Sequence, residues 1–108
     1  MRYESLVGLF VTDDDVYQQY REKMIPILKT YGGGFGYDFI VSSVLKSEIE
    51  TPINRVFTIY FKSEIDMNAF FSNEDYLEIK RKFFEKSVSS TTIISQYVKN
   101  EDSLDTSR

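Results

Sequence analysis

Two segments of this chain carry apolar side chains on both sides of an extended backbone, and this narrows the possible folds more than any other feature. Arg55 to Phe61 reads R-V-F-T-I-Y-F. Side chains alternate across a strand with period two, so Arg55, Phe57, Ile59 and Phe61 share one face while Val56, Thr58 and Tyr60 share the other. Tyr3 to Val11 behaves alike, with Ser5, Val7, Leu9 and Val11 opposite Leu6, Gly8 and Phe10. A single layer of helices covers only one face of a sheet. The second face needs another cover, and a second copy of the chain is the expected one.

The helices are legible between the strands. Thr12-Asp13-Asp14-Asp15 supplies the cap residues and negative charge that suit a helix N-terminus. Val16, Tyr17, Tyr20, Met24, Ile27, Leu28 and Tyr31 then recur at steps of three and four, marking one apolar stripe that ends at Gly32-Gly33. Pro26 lies inside the stripe and predicts a kink or a broken ladder where it cannot donate to Glu22. Gly34 to about Leu45 reads as a strand with Phe35, Tyr37, Phe39 and Val41 on one face, followed by a polar connection through Pro52. Ser63 with Asp66 forms a capping box, and Asn73 recaps a second helical segment bearing Tyr76, Ile79 and Phe83. Thr91 to Val98 is the last strand. The order β-α-β-β-α-β is the split arrangement of an α+β, ferredoxin-like sandwich with a four-stranded antiparallel sheet. One domain spans residues 1–98, and 99–108 reads as a polar, mobile tail.

Composition removes whole classes of function. The 108 residues include no cysteine and no histidine, which excludes a disulfide scaffold, a thiol nucleophile, an imidazole base and the usual zinc sites. No metal or other cofactor is expected. Thirteen basic against seventeen acidic side chains give a net charge of −4. That balance disfavours nucleic acid and anionic membrane as partners, because phosphate binding needs a positive field. With no apolar run of membrane-spanning length and no leader pattern, a cytoplasmic protein is expected.

Several motifs have plain structural readings. Gly32-Gly33-Gly34-Phe35-Gly36 leaves a helix and enters a strand, the reverse of a phosphate-binding glycine loop, so it predicts a helix stop and a strand bulge. Gly34-Phe35-Gly36-Tyr37 imitates half of an RNA-recognition signature, but it lies on the second strand and lacks the preceding basic residue. Contiguous Asp13 to Asp15 cap a helix, and Lys80, Arg81, Lys82 and Lys86 are interleaved with Glu78 and Glu85 on a solvated face.

Tyr31-Gly32-Gly33 closing a helix that carries Tyr17, Tyr20 and Pro26, then Asn54-Arg55-Val56 opening a strand, then Phe70-Phe71-Ser72 with Tyr76 shortly after, resembles an uncharacterised bacterial domain family of the dimeric α+β barrel superfamily. The resemblance runs from about Tyr3 to Tyr97. It implies a ferredoxin-like monomer whose sheet packs against that of a second copy. Relatives in the superfamily include cofactor-independent monooxygenases, isomerases, haem enzymes and ligand-binding domains, so the resemblance bears on fold more than on reaction. Many members have Arg-Gly-Gly beginning where this chain has Asp38-Phe39-Ile40.

The candidate site is a set of polar groups on strands otherwise built of aromatics: Tyr37, Asp38, Asn54, Arg55 and Tyr60, with Gln96 and the Tyr17/Tyr20 pair nearby in the topology. Arg55 can grip a carboxylate bidentately, and tyrosine hydroxyls can donate to an oxyanion. Asp38 and Arg55 are also placed to neutralise one another across adjacent strands. Three functions follow: a homodimeric small-molecule-binding protein with a mostly aromatic pocket; a cofactor-independent oxygenase or isomerase of a carbonyl or phenolic compound, as the superfamily implies, with Asp38 as base and Arg55 or a tyrosine stabilising the anion; or a non-catalytic interaction dimer.

Overall fold

In the computed structural model, which describes residues 1–100, the order is β1 (Arg2–Val11), α1 (Asp14–Thr30), β2 (Gly34–Ile40), β3 (Arg55–Phe61), α2 (Glu64–Phe71), α3 (Glu74–Ile79) and β4 (Val88–Lys99). A wide π-helical turn, Lys80–Phe84, and a last helical turn, Glu85–Ser87, join α3 to β4. The strands pair antiparallel in the order β2-β3-β1-β4. This is the ferredoxin-like α+β fold, as the order of elements predicts.

Each helix begins where a side chain can serve the free amide groups of its first turn. The Asp13 carboxylate accepts from the Val16 amide, Ser63 Oγ accepts from the Asp66 amide, and Asn73 Oδ1 accepts from the Tyr76 amide. α1 ends in a Schellman motif: Gly33 N donates to Leu28 O, Gly32 N donates to Lys29 O, and Gly32 takes φ +71°. Pro26 does not end α1, which continues to Thr30; loss of one ladder bond at Glu22 is outweighed by packing of the same turn, where Met24 and Leu28 are fully buried.

The helices cover one sheet face. Val7, Leu9 and Val11 of β1 and Phe57, Ile59 and Phe61 of β3 pack there against Tyr17, Tyr20, Met24 and Leu28 of α1, Phe70 of α2 and Tyr76 of α3. Among the described residues, no helix lies over the opposite face. That face carries Leu6, Phe10, Val56 and Tyr60, all half-buried, and the exposed aromatic pair Tyr37 and Phe39, whose rings stack at 5.9 Å.

Three expectations need correction. β2 stops at Ile40 instead of running to about Leu45, because after the Val41 amide donates to Asn54 O the chain turns away from β3. Phe35, Tyr37 and Phe39 do not share a face: Gly36 and Tyr37 together oppose Thr58, and this bulge flips everything after it. β4 begins at Val88 and includes Lys99, which pairs with Arg2, so Lys99 belongs to the sheet and not to a tail. The remainder of the tail, 101–108, lies outside the described residues. Among those described, no helix is long and apolar enough to cross a membrane.

Candidate functional site

The bulge in β2 creates the most connected polar cluster of the helix-covered face. Phe35 pairs with Ile59 and Asp38 with Phe57, so the one extra residue between them turns Asp38 onto the same side as Phe35. A regular strand would send Asp38 to the opposite face. The bulge is held by a side chain, since the Tyr37 amide donates to Thr58 Oγ1 at 2.8 Å.

Asp38 is thereby clamped by two arginines. Arg55 donates from Nε and Nη2 at 2.8 and 2.9 Å, and Arg21 from Nη1 and Nη2 at 3.1 and 3.3 Å. Both interactions are two-pronged, the geometry in which guanidinium matches carboxylate best. Arg21 itself is 6% exposed on α1. Its Nε donates to the Tyr17 hydroxyl at 2.7 Å, and its guanidinium lies 3.9 Å from the centre of the Phe35 ring. Burial alone would raise the Asp38 pKa, but the bonds from Arg55 and the charge of Arg21 outweigh it and hold the carboxyl below its ordinary range. The resulting group is a stable anion and a poor base. Two guanidiniums share one carboxylate, leaving the cluster with an excess positive charge.

Beside this cluster lies a cavity of about 220 Å³ between the sheet and the helices. Its walls are mainly aromatic and aliphatic, with Tyr17, Tyr20 and Met24 from α1, Phe35 and Phe57 from the sheet, and Tyr76 and Phe84 from the second helical stretch. The rim includes the exposed side chains Phe71, Thr91 and Ile93, so it opens toward β4, whose helix-side face is left largely bare. The lining residues that carry polar groups are few: Arg21, Lys80, Thr91 and the tyrosines. The Tyr20 and Tyr76 hydroxyls are 2.9 Å apart and hydrogen-bonded. Burial raises the Tyr20 pKa well above its ordinary value, reinforced by Tyr76, and pushes Tyr76 up to about 12. Both phenols therefore stay protonated at neutral pH. The π turn contributes Lys80 and Phe84 to the wall; such one-residue insertions locally widen a helix.

The five residues singled out from the sequence are divided among three places. Asp38 and Arg55 form the ion pair just described. Tyr37 and Tyr60 lie on the helix-free face, Tyr37 stacked on Phe39 and Tyr60 beneath the Arg2 guanidinium at 4.0 Å. Asn54 extends the sheet, with Oδ1 accepting from Val11 N and Nδ2 donating to Val11 O, both at 2.8 Å. None of the five lines the cavity. Gln96 donates to Ser5 Oγ at 3.1 Å on the helix side of β4. The residues that sequence reasoning passed over are Arg21, Tyr76 as partner of Tyr20, and Lys80. Arg21 left a signal: it sits four residues from Tyr17 and three from Met24, a charge within an apolar stripe.

The helix-free face has a polar centre of its own. Glu4, 1% exposed, accepts from Arg2 Nη2 at 3.0 Å and from the Tyr97 hydroxyl at 2.5 Å, with Lys99 Nζ 3.8 Å away. Partial burial and the Glu4 carboxylate push the Tyr97 hydroxyl up to about 12.

No protein-family model matches the chain, and no curated protein is similar to it in sequence. Solved structures are similar in fold. A Rhodopseudomonas palustris protein of unknown function superposes with TM-score 0.76 at 14% identity, over 92% of this chain and 84% of that one. A dabb family protein with a ferredoxin-like fold from Mesorhizobium loti gives TM-score 0.62 at 13% identity, over 92% and 97%. A putative antibiotic biosynthesis monooxygenase from Nitrosomonas europaea gives 0.56 at 16% identity, over 93% and 91%. At these identities the likeness extends to the fold alone, and that fold is compatible with binding a small molecule.

Proposed function

We propose that the chain binds a small aromatic molecule in the cavity between α1, α3 and the sheet, and that it does so as a homodimer. The cavity carries the reading. It is open, apolar and furnished with a few convergent polar groups, the usual constitution of a ligand site. Its volume is somewhat above the roughly 150 Å³ of a cavity that holds benzene, so one substituted ring or two fused rings match it. Asp38 and Arg55 act at one remove: Asp38, itself held by Arg55, grips the guanidinium of Arg21, a residue of the wall. Homodimerisation is supported by the stacked Tyr37 and Phe39 side chains, 54% and 55% exposed on a face without helices.

Amide and side-chain NMR shifts on titration with 2-naphthamide, a neutral bicyclic probe, test the cavity. Shifts concentrated at Tyr20, Met24, Tyr76 and Phe84, and abolished by an Ile93→Trp substitution that closes the rim, are expected. Shifts scattered over the helix-free face, or none at millimolar probe, would remove this site as the binding site.

A further inference from the structure

The charge of the cavity wall identifies the class of molecule it takes. The chain as a whole is acidic, with seventeen carboxylate side chains against thirteen cations. Yet among the described residues no Asp or Glu lines the cavity, while Arg21 and Lys80 both do. Lys80 is half-buried, and among the described residues its side chain makes neither an ion pair nor a hydrogen bond. Its neighbours on the same helical stretch show the ordinary alternative: Lys82 pairs with Glu78 at 2.7 Å and points into water. A half-buried lysine whose ammonium has no partner is poorly compensated for the water it loses, and an anion placed beside it would offset that.

The hydroxyl pair supplies a second, independent observation. Of two hydroxyls joined by one hydrogen bond, one donates and the other accepts, so the acceptor retains a proton to give. Tyr76 and Lys80 are one helical turn apart, which brings their side chains to the same side of the stretch. The cavity wall therefore brings a lysine and a surplus hydroxyl proton to one side of the same helical stretch, with no acidic side chain among the described lining residues to compete for them. Behind them, the excess charge of Arg21 and Arg55 over Asp38 adds to the attraction. Seven aromatic rings, those of Tyr20 and Tyr76 included, form much of the wall and favour edge and offset contacts with a flat ligand.

We infer that the ligand is an aromatic monocarboxylic acid of one or two rings, its carboxylate set against Lys80 and the Tyr20–Tyr76 hydroxyl pair. This rests on the proposed cavity site and adds the sign of its ligand's charge.

Isothermal titration of 2-naphthoate and of its neutral counterpart 2-naphthamide separates the two ideas. The parent protein should bind the acid about tenfold more tightly than the amide or better, the worth of one charge-assisted hydrogen bond in a largely dry site. Lys80→Met keeps the side chain's length and removes its charge; it should erase that preference by weakening the acid alone, leaving amide affinity within about twofold. Lys80→Gln provides the same comparison should the methionine variant lose its thermal transition. Equal binding of acid and amide by the parent, or a preference that survives loss of the Lys80 charge, would overturn the inference while leaving a cavity that takes neutral aromatics. If neither probe binds, the cavity site falls and this inference with it.

Discussion

Arg21 shows how much one side chain can depend on its neighbours. The guanidinium is nearly sequestered from water, so its charge is tolerable only because Asp38 faces it and Tyr17 accepts its Nε–H. Replacing Asp38 by Asn should therefore cost about 2 to 3 kcal/mol in urea denaturation, less than for a fully buried pair because a third of the Asp38 side chain meets solvent. Arg55→Ala should cost less than that, since Arg21 still holds the carboxylate, and an equal or larger loss would show that Arg55 is the main support. The pH dependence follows from the same bonds. The folded pKa of Asp38 lies below its ordinary value of 3.8, so its contribution is present above about pH 4 and fades as pH falls through the lower, folded value. The asparagine variant should lose less stability than the parent between pH 4 and pH 2. The pairing of Asp38 with Arg55 was legible in the sequence as an acid and a cation on adjacent strands. The second clamp was not, because Arg21 meets Asp38 only after the bulge has turned β2 over.

Among the elements, β2 is where local sequence most nearly determined the outcome and yet misled. The glycines at 32 and 33 announced the helix stop, and Gly36 announced a bulge, both for the reason that side chains are excluded there. A Cβ on Gly36 would stand 2.6 Å from Thr58 Oγ1, the atom that accepts from the Tyr37 amide. Gly36→Ala should force Thr58 to rotate, cost about 1 to 3 kcal/mol, and speed amide exchange at Tyr37 and Asp38. Unchanged exchange at those two amides would mean that the bulge stands without the Thr58 bond. What alternation could not supply was the position of the extra residue, and with it the faces of Tyr37, Asp38 and Phe39. The second helical stretch hid its shape for a similar reason: an insertion of one residue per turn at Lys80–Phe84 leaves a nearly helical apolar period while moving Lys80 and Phe84 toward the cavity.

Over the whole molecule, the two-sided strands that dominate the sequence have become a sheet with helices on one side and a partly apolar, partly charged surface on the other. Burying Tyr37, Phe39 and their neighbours against a second copy predicts a melting temperature that rises with protein concentration and a dimer in sedimentation at micromolar protein. Replacing both Tyr37 and Phe39 by Ser should shift sedimentation toward monomer; a parent protein that stays monomeric at every concentration would leave those rings without the proposed cover. The chemistry of the cavity was less legible than the architecture, because a site made of Arg21, Tyr76 and Lys80 draws on two helical stretches far apart in sequence and no short motif joins them. One further property follows from the meeting of Arg2, Tyr97 and Lys99 on Glu4. The first and last strands lie side by side with Arg2 and Lys99 in register, so the fold is nearly a closed circuit whose point of opening is incidental. A chain in which residue 100 is linked back to residue 1 by a short glycine-serine segment, and which is cut instead at the exposed turn between Glu48 and Ile49, should fold to the same sheet and give the same circular dichroism spectrum. Failure of that rearranged chain to fold would mean that the order in which the strands are laid down matters more than where they finish.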